Sequence, residues 1–408
     1  MKLYLRTFGC RANSYDSEAV MASAAAGGYG LVDDAAAADV AVFNSCAVTS
    51  EAERDVRKAV RRAAASNPRL RSIVMGCSAA LPASARGLGQ LPTVDRVVAG
   101  GDIAAVAAAL GVPAARGTSR QGSARAVLRV QDGCDEHCTF CATTMARGAN
   151  RSRPAHVLAE EARTLAVAHP EIVITGTHIG TWGADIGSSL GVLMQSLVRA
   201  VPDARFRLSS IEATEVDGAL CELMAGDPRR LAPHLHAPLQ SGSDRVLKRM
   251  GRHWYTAASY SAAIERLAPR LPHFGLGADI IVGFPGETDD DFEDTVRIVE
   301  RLPFTYLHVF TYSERAGTAA LRLPGRVDGA TSRDRSARLR DMADQRAAAH
   351  ARARVGTAAD VVVTAGAPHR TGVTEDYLTV RVAGDVARGT RLDLDLTRDS
   401  FLERTTGS

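Results

Sequence analysis

Lysine is nearly missing from this chain. Only Lys2, Lys58 and Lys248 accompany arginine among its 49 basic residues, and the net charge is just +3. So small an excess excludes a polycation that coats nucleic acid by charge alone, and DNA is not an expected partner. Aromatic residues make up 5% of the sequence, and the arginine-rich runs 54–71 and 333–354 contain none interleaved for base stacking. No stretch approaches the ~20 apolar residues that cross a bilayer, so no membrane partner is expected. The opening Met1-Lys2-Leu3-Tyr4-Leu5-Arg6 turns polar too early for a secretory signal. Cysteine is scarce and odd in number, seven in 408 residues. That count excludes a fully paired disulfide framework and favours a reducing, cytoplasmic setting. What remains is an ordinary soluble composition, 46% hydrophobic and 23% charged, long enough for two or three domains.

Three of the cysteines are packed into Gly133-Cys134-Asp135-Glu136-His137-Cys138-Thr139-Phe140-Cys141. Thiolates at this tight spacing suit one loop wrapped around an iron–sulfur cube. Three ligands leave one iron of a four-iron cluster open to a substrate or cofactor. A zinc site is the alternative, but it would ordinarily show a second knuckle downstream, and none is present.

Residues 1–112 alternate strand and helix, which predicts a small α/β unit with a parallel sheet. Strands are expected at 2–7, 39–44 and 72–75, and helices at 14–27 and 50–66. Cys10, Cys46 and Cys77 each stand just beyond an expected strand end. Loops at the carboxyl ends of strands in open α/β sheets converge on one crevice, so these three predict a second metal site. Three unrelated buried thiols are the alternative. Residues 113–126 read as a linker rich in Gly, Ser and Arg. Strand candidates at 126–130, 171–175, 206–209, 277–282 and 306–310, with helices at 156–168 and 190–201 among those between, predict a partial (β/α) barrel over 127–350. Residues 355–408 read as a small β-module with strands at 361–364, 377–382 and 391–396. Cys221 is expected to be buried in a helix. Thr288 with Asp291 reads as a capped helix start.

The Cys134, Cys138, Cys141 motif with Phe140 resembles the radical S-adenosylmethionine superfamily. Thr7-Phe8-Gly9-Cys10-Arg11-Ala12-Asn13-Ser14, Asn44-Ser45-Cys46-Ala47-Val48-Thr49 and Gly76-Cys77 look like the amino-terminal domain of its radical methylthiotransferases. The resemblance implies two 4Fe-4S clusters, one on each thiol trio, and S-adenosylmethionine chelated by the open iron of the cluster at Cys134, Cys138 and Cys141. It implies a Rossmann-like first domain, a radical-SAM barrel, and a C-terminal module similar to the RNA-binding TRAM domain, for which a β-cap without an RNA role is the alternative. Phe140 would pack near the adenine. Gly176 and Thr177 would meet the cofactor's amino group, and Ser209 and Glu212 would lie near it. Arg147, Arg151 and Arg153 would contact the cofactor, cluster sulfides or substrate phosphates, and Gln240 would line the barrel mouth beside the substrate. A solvated turn, a plain strand-to-helix turn and a structural ion pair with Arg207 are the respective alternatives for the arginines, the glycine segment and Glu212. The run Ala142-Thr143-Thr144-Met145 departs from the family pattern.

His234 and His236 share one face of an expected strand, but the sequence shows no carboxylate or thiolate partner for a metal. The phrase Leu307-His308-Val309-Phe310-Thr311-Tyr312-Ser313, with the one around Cys46, looks most like family members that methylthiolate threonylcarbamoyladenosine beside the tRNA anticodon. Isopentenyladenosine in tRNA and an aspartate of a ribosomal protein are the other family substrates, and a non-enzymatic metal-containing RNA-binding protein is the reading from a different class. tRNA and a reducing partner such as flavodoxin or ferredoxin are the implied partners.

Overall fold

The computed structural model describes residues 1–47, 50–115, 117–118 and 121–401. Val48 and Thr49 of the second cysteine phrase, and Arg116, Ser119 and Arg120 of the expected linker, lie outside the described residues.

The first unit comprises β1 (Lys2–Thr7), α1 (Arg11–Ala26), β2 (Gly30–Val32), β3 (Val40–Ser45), α2 (Ser50–Ser66), β4 (Arg71–Gly76), α3 (Cys77–Ala80), α4 (Pro82–Gly89), β5 (Val94–Val97) and α5 (Ile103–Leu110). Its five strands run parallel in the order β2-β1-β3-β4-β5. β3 is buried along its whole length, as a central parallel strand covered on both faces must be. Phe43 and Val74 face one apolar cluster with α2, while Val42 and Ile73 face another with α1 and α5. The pairings Thr7–Asn44 and Ser45–Gly76 bring the carboxyl ends of β1, β3 and β4 level. That register carries Cys10, Cys46 and Cys77 to one edge of the sheet.

The second unit begins with β6 (Ala126–Arg129) and β7 (Gln131–Asp132). It continues through α6 (Thr143–Arg147), β8 (Arg151–Ser152), α7 (Ala155–Ala166), β9 (Glu171–Thr175), α8 (Leu190–Ala200), β10 (Arg205–Leu208), α9 (Gly218–Gly226) and β11 (His234–His236). After α10 (Asp244–Arg249) and α11 (Ala257–Leu267) come β12 (Gly275–Val282), α12 (Asp289–Arg301) and β13 (Tyr306–Thr311). β6, β9 and β10 form one parallel sheet and β11, β12 and β13 another. The bridges Phe206–Leu231 and Ser210–His236 join them edge to edge. The result is a six-strand arc with helices outside, the expected partial barrel. One continuous apolar core lies between strands and helices, and Cys221 is buried in it. Thr288 and Asp291 close the expected capping box at α12.

The long α13 (Gly329–Arg354) leads to an antiparallel sheet of β14 (Ala358–Ala365), β15 (Thr371–Val373), β16 (Thr379–Arg381) and β17 (Arg391–Asp395), in the order β16-β15-β14-β17. The sheet docks on β10 through two fully buried arginines. Arg205 and Arg207 both pair with Glu171, at 2.6 and 2.9 Å. Arg205 donates to the Asp360 carbonyl, and Arg207 to those of Thr374 and Glu375. Arg207 is thus a structural ion pair and does not partner Glu212. β10 alternates its side chains, and Arg207 points toward the C-terminal module.

Candidate functional site: two thiol trios

Cys134, Cys138 and Cys141 follow β7 in a loop held by backbone bonds. Cys134 N–H donates to the Gly148 carbonyl at 2.9 Å, and Cys141 N–H to that of Cys138 at 3.1 Å. Gly133 has φ +77°, and a Cβ there would lie 1.9 Å from the Ala149 carbonyl oxygen, so only glycine admits this turn. Several donors approach the sulfurs. Thr143 N–H lies 3.3 Å from Cys141 Sγ, Arg252 Nη1 3.5 Å from Cys138 Sγ, and His178 Nδ1 3.6 Å from Cys134 Sγ. Burial pushes the Cys138 thiol up to about 12. Burial also opposes charge on His178, but its bonds to Cys134 and Glu215 prevail and raise it to about 10. Three thiols ringed by N–H donors are a donor set that fits a thiolate-held iron–sulfur cube.

The cleft above them is also lined by Phe140, Thr177, Glu212, Gln240, Trp254 and Asp279. A larger cavity, walled by Gly283, Tyr312, Glu314, Asp328 and Ser332, has no cysteine in its lining. Size alone would mislead here, because the thiols mark the chemistry. Phe140 meets Phe284 edge-on at 6.3 Å. The Thr177 hydroxyl bonds Asp132, and its N–H bonds Gln131 at 3.0 Å. Glu212 forms a buried ion pair with Arg252; burial raises its pKa, against the pull of Arg252. Gln240 enters with φ +62°.

The second trio meets at the sheet edge. Cys10 caps α1, Cys46 follows β3, and Cys77 opens α3. Cys10 is exposed, while Cys46 and Cys77 are buried. Gly9, at φ +99°, leaves room beside Cys46, whose Sγ would lie 2.6 Å from an added Cβ. Asn13 Nδ2 ties the carbonyls of Phe8 and Ser45 together, and its Oδ1 lies 3.9 Å from Cys77 Sγ. Burial pushes the Cys77 thiol up to about 11. This donor set fits the same kind of group.

The remaining expected site residues fall elsewhere. Gly176 packs behind the cleft against Gln131, whose carbonyl would lie 2.8 Å from an added Cβ. Ser209 is buried, its N–H bonding the Ile174 carbonyl, one residue before the lining Ser210. None of the three arginines lines the cleft. Arg151 is 61% exposed and reaches back to the Arg147 carbonyl. Arg153 bonds Tyr15 at 3.0 Å and Glu161 at 2.6 Å, clamping α1 to α7. Arg147 is buried against Asp16 and Asp132. The sequence shows a charged turn but not the α1 and α7 carboxylates that fold against it.

Arg252 and Trp254 of the cleft carried no motif signal. The histidine pair also needs correction, because a carboxylate partner does exist. Asp279 of β12 lies 3.0 Å from His236 Nε2 and 3.2 Å from His308 Nδ1. Tyr306 OH joins His236 Nδ1 at 3.1 Å and His234 Nε2 at 2.9 Å. Burial opposes ionisation of Asp279, but the two imidazoles hold its carboxyl well below the usual range. Residues distant in sequence supply this network, so spacing could not reveal it.

Comparison with known proteins gives the family. Residues 2–99 match the family described as uncharacterized protein family UPF0004, and residues 128–299 match the radical SAM superfamily. A Thermotoga maritima protein named threonylcarbamoyladenosine tRNA methylthiotransferase MtaB is 37% identical over 358 residues, covering 83% of this chain and 81% of that one. The Bacillus subtilis protein of the same name is 35% identical, covering 85% and 81%. A Parafrankia protein named tRNA-2-methylthio-N(6)-dimethylallyladenosine synthase is 33% identical, covering 96% and 83%. Among solved structures, the radical S-adenosylmethionine methyltransferase TsrM of Kitasatospora setae, with cobalamin and a [4Fe-4S] cluster bound, superposes with TM-score 0.59 at 13% identity, covering 78% of this chain and 76% of that one. At that identity the likeness is one of fold. Matched along most of its length by methylthiotransferases, and carrying the thiol loop of the superfamily at its barrel mouth, the chain belongs to the radical S-adenosylmethionine methylthiotransferase family.

Proposed function

We propose that this enzyme replaces the hydrogen at carbon 2 of N6-threonylcarbamoyladenosine in tRNA, beside the anticodon, with a methylthio group. Membership of the radical SAM superfamily brings S-adenosylmethionine and one four-iron cluster, which the loop of Cys134, Cys138 and Cys141 would hold. The observation that carries the fuller reading is the meeting of Cys10, Cys46 and Cys77 at one sheet edge, whose donor set suits a second four-iron cluster to present sulfur. The substrate follows the relatives named for threonylcarbamoyladenosine, at 37% and 35% identity. The dimethylallyladenosine reading rests on the Parafrankia relative, which aligns with 96% of this chain.

When bound, the cluster of the barrel loop supplies the electron that splits the carbon–sulfur bond of S-adenosylmethionine. The protein's part is orientation. Thr177 and Glu212 offer oxygens to the cofactor's cationic amino group. Arg252 and His178 direct N–H groups at the ligand sulfurs. Phe140 and Trp254 exclude water from the cleft, and Gln240 faces the substrate side. This reading requires a reducing partner, such as a flavodoxin or ferredoxin, in the cytoplasm.

The test is nucleoside mass spectrometry of tRNA from a deletion strain. Loss of the methylthio form of threonylcarbamoyladenosine is the expected result. Loss of the dimethylallyl counterpart would move the substrate to the second reading, and an unchanged profile would point to a ribosomal-protein aspartate. Anaerobic reconstitution separates enzyme from binding module. The two cubes require about eight irons per chain, whereas about one zinc without cofactor cleavage would mean a non-enzymatic protein.

A further inference from the structure

Helix α6 touches both thiol trios. Cys141 stands two residues before its start and receives the Thr143 N–H. At its other end, Arg147 lies over α3, the helix that Cys77 begins, and Ala47, Cys77, Ala142 and Ala146 pack between them. With a rise of about 1.5 Å per residue, the helical stretch spans less than ~10 Å.

Arg147 is 1% exposed in its side chain. Its Nη2 donates to Asn13 Oδ1 at 2.8 Å and Asp16 Oδ2 at 2.7 Å, and its Nη1 to Asp132 Oδ1 at 3.1 Å. Arg129 completes the group, 2.5 Å from Asp16 and 3.3 Å from Asp132. Arg129, Arg147, Asp16 and Asp132 thus form one cluster, Arg147 and Asp16 buried and Arg129 and Asp132 partly so, with exposed Arg151 3.9 Å from Asp132 at its outer side. Arg147 also shares an acceptor with a candidate ligand: Cys77 Sγ lies 3.9 Å from the same Asn13 Oδ1 that takes the Arg147 Nη2 bond. Asn13 thus bridges the guanidinium and the thiol, accepting from both. A purely structural ion pair has no need to share an acceptor with a candidate metal ligand.

We infer that Arg147 is a positioning residue for the cluster proposed at Cys10, Cys46 and Cys77: through Asn13 it orients the Cys77 sulfur, and it supplies the positive charge near which that anionic cube is reduced. The inference rests on the two-cluster reading above. A cube held by three thiolates gains one more negative charge on reduction, and hydrogen bonds and charge at the sulfurs set its potential. Arg147 therefore favours the reduced form, and Asp16 opposes it. The five-residue helix holds the other trio at a set distance.

The test is a dithionite titration of the reconstituted full chain, followed by EPR, on wild type, Arg147→Gln, Arg147→Lys and Asp16→Asn. The signal that changes when S-adenosylmethionine is added marks the barrel cluster, and the unresponsive signal marks the other. Arg147→Gln is expected to lower the midpoint of the unresponsive cluster, Asp16→Asn to raise it, and Arg147→Lys to shift it less than Arg147→Gln does. The responsive cluster should keep its midpoint in all three. Opposite signs from the two charge changes are a result that packing loss cannot imitate. Unshifted midpoints at full iron content, or a shift confined to the responsive cluster, would overturn the inference. If Arg147→Gln does not fold, the sign of the Asp16→Asn shift decides. Failure of the two-cluster reading shows separately, as about four irons and a single signal in the wild type.

Discussion

Asp376 sits in the C-terminal module between Arg354 at 2.7 Å and His350 at 2.8 Å. Burial works against its charge, but the His350 hydrogen bond and the Arg354 guanidinium prevail and hold its pKa at about 2, below the ordinary 3.8. A carboxyl whose pKa is lower in the folded than in the unfolded chain stabilises the fold above the unfolded value, and that contribution fades as pH falls through the folded value. Asp376→Asn should therefore cost stability at neutral pH. The gap from wild type should shrink as pH falls from about 3.8 toward about 2. Chemical denaturation across that range, read by circular dichroism, checks it. Arg207 makes a harsher case. Replacing it with methionine leaves the wholly buried Glu171 short of one cation and frees two module carbonyls. Breaking a buried pair typically costs about 3–5 kcal/mol, and equilibrium unfolding should register a loss of that order.

Among the elements, α12 shows what a short sequence signal can reveal. Thr288 accepts from Asp291 N–H, and Asp291 returns a bond to Thr288. Thr288→Ala should lower stability by about 1 kcal/mol, measured by urea titration. This cap was legible because both partners lie within four residues. The buried strands β3 and β9 were legible for a related reason: covered strands read as apolar runs, Val40–Phe43 and Ile172–Ile174 here. β2 and β5 were not, since both are short and only partly covered. Residues 377–382 show a different failure. The strand is only Thr379–Arg381, and Tyr377 turns out of it at φ +75° to stack on His234 at 4.4 Å and receive Arg11 at 2.9 Å. β-propensity cannot anticipate a tyrosine drawn away by partners from two other parts of the chain. The partners of Arg147, Arg151 and Arg153 were illegible for the same physical reason, whereas six cysteines stood out because strand-end position and loop spacing are local properties.

At the scale of the molecule, the units are joined by buried polar contacts. Tyr15 bonds both Arg153 and Glu161 at the junction of α1 and α7. Burial raises the Tyr15 hydroxyl to about 12, with Arg153 opposing, so it stays a donor under ordinary conditions. Removing that hydroxyl in Tyr15→Phe leaves part of the Glu161 and Arg153 hydrogen bonding unmet at a cost of about 1–3 kcal/mol. The expected result is faster limited proteolysis between residues 110 and 126, with the strands of each unit intact by circular dichroism.

The N-terminal thiols are unequal in shelter: Cys10 faces water, and Cys46 and Cys77 do not. Weathering of this corner should therefore have an order. A brief pulse of iodoacetamide on cluster-free protein would label Cys10 well before its two companions, and peptide mapping would record the sequence of attack. Air would enter by the same door, so a scavenger or a docked partner screening that one sulfur would shield the whole trio.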